Sequence, residues 1–159
     1  MDLVTIKQGV WILHLTDVFS RYSVICVRQS KKPSAIIDVV LKTWISYFGQ
    51  PQRFLADNGG EFANAEYKAM CEAFNNEVAT TAAESPWSNG LCERHNGVLK
   101  QLVKNVMEDT KYSLEPAVYW KDSAKNTLHG HNGYSPNTIV FGKNPNMPSV
   151  LSCMINYQH

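Results

Sequence analysis

Paired cysteines are missing from this sequence. Cys26, Cys71, Cys92 and Cys153 lie far apart with no C-x-x-C spacing, so a zinc site built from cysteines has no basis here. The pattern reads as reduced thiols in an intracellular protein. Long apolar runs are missing as well. The most apolar stretches, around Val10–Leu15 and Ile36–Leu41, fall far short of the roughly 20 residues that a membrane-spanning helix needs, so no membrane association is expected. The first residues carry Asp2 and Lys7 rather than a basic segment followed by an apolar one, so no secretory signal is visible. There is no excess of one charge: 15 Lys and Arg face 14 Asp and Glu, a net charge of +1. That balance neither demands nucleic acid nor excludes it, because a local basic stripe matters more than the sum. Internal repeats, low-complexity tracts and linkers are absent too.

What is present suits one folded domain. The chain has 159 residues, 44% of them apolar, which is enough for a single core over residues 1–159 and short for two. Four Trp, seven Tyr and six Phe argue against disorder. Asp2–Ile6 is β-rich, Gln8-Gly9 supplies a turn, and Trp11–Leu15 is expected to complete a hairpin, with Ser23–Val27 as a third strand. Pro33 and Ser34 open a helix with Ile36, Val40, Trp44 and Phe48 at helical spacing, and Gly49 and Pro51 close it. Arg53–Ala56 is a short buried strand. Asn64 is placed to cap a helix, Val78–Thr81 forms a fifth strand, and a long helix is expected from about Gly90 to Met107. Ser113 caps a further helix, and Ser135-Pro136 starts a last one that Gly142 ends. Strands and helices in this order predict an α/β domain with a mixed sheet.

Four carboxylates attract attention. Asp57 follows a buried strand and precedes Asn58-Gly59-Gly60. The carboxyl ends of strands in open α/β sheets face the ligand crevice, although an Asp there also suits a plain turn. Glu93 lies near the start of the long helix, on a stripe with Gly97, Lys100 and Lys104 that is either a solvated face or a metal-and-phosphate face. Asp2 sits inside an apolar strand, where a carboxylate is costly unless paired or bound to a cation. Asp17 ends the second strand and is a competing candidate, although its position suits a side chain that hydrogen-bonds the following turn. Three carboxylates from separate elements can hold two divalent cations about 4 Å apart for in-line phosphoryl displacement. All-oxygen ligands favour Mg²⁺, with Mn²⁺ as a substitute. His129 and His131 lack the further ligands of a zinc site and are read as a helix end.

Two segments resemble the retroviral and retrotransposon (gypsy-like) integrase catalytic core, a DDE transferase. Leu55-Ala56-Asp57-Asn58-Gly59-Gly60-Glu61-Phe62 is similar to its central Asp motif, and Ser85-Pro86-Trp87-Ser88-Asn89-Gly90-Leu91-Cys92-Glu93-Arg94 to its Glu motif. The 35 residues between Asp57 and Glu93 match the family spacing. Thr16-Asp17-Val18-Phe19-Ser20-Arg21-Tyr22 and the segment from Gly133 to Gly142 also resemble family segments, so the likeness covers nearly the whole chain. It implies an RNase H-like fold with a five-stranded mixed sheet flanked by helices. It implies Asp2, Asp57 and Glu93 as catalytic metal ligands, with Asp17 the alternative to Asp2. It also implies a mobile loop from about Ala83 to Asn89, and DNA contacts from Trp87, Asn89, Lys100 and Lys104.

The activity implied is divalent-metal-dependent cleavage of DNA 3′ ends and strand transfer into target DNA, by a homodimer acting in the nucleus. Lys31-Lys32 is no convincing import signal. The family's zinc-binding His/Cys region and its basic region after the core are not among these residues. Two alternatives stay open at this point: an RNase H-like nuclease that cuts without joining, and a host-adopted relic serving as a DNA-binding or dimerisation module.

Overall fold

Short β-rich, largely apolar runs in the opening stretch form three strands: β1 (Asp2–Lys7), β2 (Val10–Thr16) and β3 (Ser23–Arg28). A computed structural model describes residues 1–7, 9–56, 65–80, 97, 114–128 and 133–146. The three strands form an antiparallel meander in the order β1-β2-β3, with Asp2 opposite His14, Val4 opposite Ile12 and Thr16 opposite Ser23. Gly9 turns the first hairpin at φ 78°, a left-handed conformation that glycine adopts without steric cost. The second turn is closed by the Asp17 N–H donating to the Tyr22 carbonyl at 2.9 Å and the Arg21 N–H to the Asp17 carbonyl at 3.0 Å.

The helix expected after Pro33 is present, with an irregularity. Regular turns, α1 (Pro33–Val40) and α2 (Ser46–Phe48), flank a π-helical stretch at Leu41–Ile45. Two hydroxyls explain it. Thr43 Oγ1 donates to the Val39 carbonyl at 2.8 Å and Ser46 Oγ to the Lys42 carbonyl at 2.7 Å, while the Ser46 amide reaches Leu41, five residues back. Side chains that bond backward in this way compete with the regular ladder. Gly49 ends the segment at φ 75°.

Beyond it come β4 (Arg53–Ala56), α3 (Ala65–Ala73), β5 (Glu77–Thr80), α4 (Leu114–Thr127) and α5 (Pro136–Phe141). Ser135 caps α5 by accepting from the Thr138 amide at 3.1 Å, and Gly142 ends it at φ 76°, as the sequence predicts. Of the expected long helix, Gly97 is described and is helical. β4 and β5 form a parallel pair, with Arg53 opposite Glu77 and Ala56 opposite Thr80. The described ladders are thus a three-stranded sheet and a two-stranded pair. The Met1 backbone nitrogen, just before β1, donates to the Leu55 carbonyl of β4 at 2.7 Å.

Because side chains alternate along a strand, the meander feeds two cores. Leu13 and Leu15 pack with Ile36, Val40, Phe54 and Tyr67, drawing α1, α3 and β4 together. Val4, Ile12 and Ile25, on the opposite face, pack under Val118 of α4. Each fully buried aliphatic side chain of this kind contributes about 1.5–3 kcal/mol. Helices therefore cover both faces, a mixed α/β layering. Among the described residues no helix is long and apolar enough to cross a membrane.

Candidate active site

Asp2 is partly buried on β1, and its Oδ1 accepts the Leu3 amide at 2.7 Å. By register it lies directly across the ladder from His14, on the sheet face that carries Val4 and Ile12. The contact from Met1 to Leu55 brings the start of β1 against β4, which ends at Ala56, the residue before Asp57 in the sequence.

Asp17 has a different environment. Its Oδ2 accepts from the Ser20 amide at 2.7 Å and the Ser20 hydroxyl at 2.6 Å, and its own amide and carbonyl close the same turn. The carboxylate is engaged in shaping the β2–β3 connection, the role its place in the sequence suggests. Both acids line one cavity of about 740 Å³, together with His14, Thr16, Phe54 and Leu55.

A polar row crosses the sheet beside these acids. His14 is buried, and its Nε2 lies 3.0 Å from Thr16 Oγ1. Across from Thr16, buried Ser23 is bound by α4: its amide donates to Asn126 Oδ1 at 3.0 Å, its carbonyl accepts from Asn126 Nδ2 at 2.7 Å, and its hydroxyl donates to Asp122 Oδ1. Lys125 Nζ completes the group, 2.6 Å from Ser23 Oγ and 2.9 Å from the Arg21 carbonyl. Burial pushes the Asp122 carboxyl up to about 6, opposed by the Ser23 hydroxyl and the Lys125 charge. Burial likewise pulls the Lys125 ammonium down to about 8 against the attraction of Asp122.

None of these residues except Asp2 stands among the sequence-based site candidates, although the sequence carries a signal for them: a polar side chain inside an otherwise apolar strand, the setting that also marks Asp2. His14 stands in just that setting between Leu13 and Leu15.

The other predicted site residues, Asp57, Glu93, Trp87, Asn89, Lys100 and Lys104, lie outside the described residues, as do the loop 83–89, His129 and His131. Among the described residues no group of three His, Cys, Asp or Glu side chains gathers to hold a metal. Cys26 and Cys71 are free thiols, both held above their ordinary pKa chiefly by burial.

The family described as Integrase core domain matches residues 1–86, a segment that includes Asp2, Asp17 and Asp57. The Gag-Pol polyprotein of avian reticuloendotheliosis virus is 28% identical over 156 residues, 96% of this chain, which spans 13% of the polyprotein's length. The HTLV-2 integrase catalytic core domain in complex with magnesium, in its trimeric form, superimposes with a TM-score of 0.66 at 24% identity, covering 82% of this chain and 84% of that one. The catalytic core domain of BIV integrase gives a TM-score of 0.71 at 19% identity, covering 99% of this chain and 97% of that one. The structural likeness establishes an RNase H-like fold, and with the family match over more than half of its residues this chain belongs to the retroviral-type integrase catalytic cores.

Proposed function

We propose that this chain is an integrase catalytic core that cuts DNA near its 3′ end and joins the freed end to target DNA. The observation that carries this reading is the position of Asp2: a partly buried carboxylate at the start of β1, next to Met1, whose backbone nitrogen meets Leu55 of β4 two residues before Asp57 in the chain. Asp17, occupied with its turn, is the weaker candidate for the same role. Continuing the contact between β1 and β4 would join the two described ladders into one five-stranded sheet, within a single domain over residues 1–159.

Asp2, Asp57 and Glu93 would hold two Mg²⁺ ions, or Mn²⁺ in their place. The donor chemistry fits: carboxylate oxygens suit hard cations, and the thiols of Cys26 and Cys71, kept protonated by burial, are poor ligands. Bound there, the metal would neutralise charge on the reacting phosphate and acidify an attacking water. Magnesium in the HTLV-2 core supports the choice of ion. Lys100 and Lys104 would bind DNA phosphates along the Glu93 helix, with Trp87 and Asn89 near the reacting phosphate. The trimeric HTLV-2 core supports self-association, here as a homodimer. Action on chromosomal DNA would take place in the nucleus.

The test is a nicking and strand-transfer assay on duplex DNA with Mg²⁺ or Mn²⁺. The parent chain nicks and joins, whereas Asp57→Asn, with its circular dichroism unchanged, does neither. Equal activity in that variant overturns the reading. Cut ends without joined products would leave hydrolysis alone.

A further inference from the structure

A carboxylate that must present its oxygens to a cation needs its own side chain held in place, and the neighbours that hold such ligands tune metal affinity. Directly across the ladder from Asp2 stands His14, and side chains opposed in this way have their Cβ atoms about 4.5–5.5 Å apart on one face. His14 is 6% exposed. Burying an imidazole in an apolar strand costs free energy unless its nitrogens are engaged, and Thr16 Oγ1 engages Nε2 at 3.0 Å. Thr16 in turn lies opposite Ser23, whose backbone Asn126 grips from α4. The polar groups thus run from α4 to Ser23 on β3, across to Thr16, along β2 to His14 and across to Asp2 on β1, while the β3 neighbour of His14 is the aliphatic Ile25.

The neighbouring row on the same face, Val4, Ile12 and Val27, is wholly aliphatic. Replacing buried polar groups by aliphatic ones of similar volume is often neutral or stabilising, and here the polar side chains face polar partners across the ladder, His14 opposite Asp2 and Thr16 opposite Ser23.

We infer that His14 is a positioning residue for the Asp2 carboxylate, with Thr16 fixing the imidazole. This rests on the proposal that Asp2 is a metal ligand. It predicts that changes at His14 and Thr16 alter metal affinity and turnover while DNA affinity stays constant.

The experiment titrates the whole chain with Mn²⁺ by isothermal calorimetry, alongside kcat and the KM for DNA in the nicking assay. His14→Leu is expected to weaken Mn²⁺ binding by roughly 10–100-fold and to lower kcat at fixed Mn²⁺, with KM unchanged. His14→Gln, which restores a polar group, recovers part of both. Thr16→Val keeps the shape, removes the hydroxyl and gives an intermediate loss. It also decides the matter if His14→Leu does not fold. Parental Mn²⁺ affinity and kcat in His14→Leu, or in Thr16→Val where the former is unfolded, overturn the inference. Asp2→Asn separates the two layers. If that variant loses Mn²⁺ binding while the His14 and Thr16 variants keep it, the positioning role alone is wrong. If Asp2→Asn itself binds Mn²⁺ as the parent does, the metal-ligand role is wrong and the positioning role falls with it.

Discussion

The Asn126 carboxamide grips both backbone groups of Ser23, accepting its amide at 3.0 Å and donating to its carbonyl at 2.7 Å. β3 is an edge strand of the described three-stranded sheet, and an edge strand carries backbone groups that need partners. One side chain of α4 supplies them. Asn126→Ala should destabilise the chain by about 1–3 kcal/mol, because it leaves buried groups unsatisfied. Asn126→Asp should do the same, since a carboxylate has no hydrogen to give the Ser23 carbonyl. Urea denaturation checks both, and unchanged midpoints would count against the clamp.

The partly buried Asp122 makes stability depend on pH in an uncommon direction. Its carboxyl titrates at about 6 in the folded chain, above the ordinary 3.8, mainly because burial penalises the charge. The folded state therefore binds the proton more tightly than the unfolded state. This contribution is fully present below pH 3.8 and is lost as pH rises through about 6. Between these values Asp122 should lower stability by up to about 1.4 kcal/mol for each unit of pH increase. Asp122→Asn should remove that component. Denaturation series on the parent and variant at pH 4, 5, 6 and 7 measure it, and parallel profiles would refute the assignment.

Asp2 and Asp17 should separate by phenotype. Asp17→Ala removes the acceptor for two hydrogen bonds from Ser20, so it should cost about 1–2 kcal/mol of stability and leave nicking intact at temperatures where the chain is folded. Asp2→Asn should abolish nicking with little loss of stability. The reverse pattern would transfer the catalytic role to Asp17.

Gly142 ends α5 at φ 76° with open space where a Cβ would stand, so strain rather than a clash governs substitution there. Gly142→Ala should destabilise by roughly 1–2 kcal/mol, read as a lower thermal midpoint. No shift would mean that this turn relaxes.

Much of this architecture was legible in the sequence, because the signals were local. β-rich runs separated by turn residues marked β1 to β3, Pro33 and Gly49 bracketed a helix, and Ser135 and Gly142 bracketed α5. The π-helical stretch was not legible. It depends on which carbonyls the Thr43 and Ser46 hydroxyls reach, and helical spacing does not encode that. The row from Asp2 to Ser23 was hidden for another reason: register between strands decides which polar residues face one another, and a single strand carries no record of its partner. For the site, the setting of Asp2 within a strand and of Asp17 in a turn agrees with the sequence, while Asp57 and Glu93 lie outside the described residues.

The most direct measurement is an anomalous difference map from crystals of the chain grown with Mn²⁺. The account predicts density about 2.0–2.2 Å from carboxylate oxygens of Asp2 and Asp57, with Glu93 on the same ion or its neighbour. Density on Asp17 in place of Asp2, or Asp57 and Glu93 too far apart to share a metal site, would contradict it.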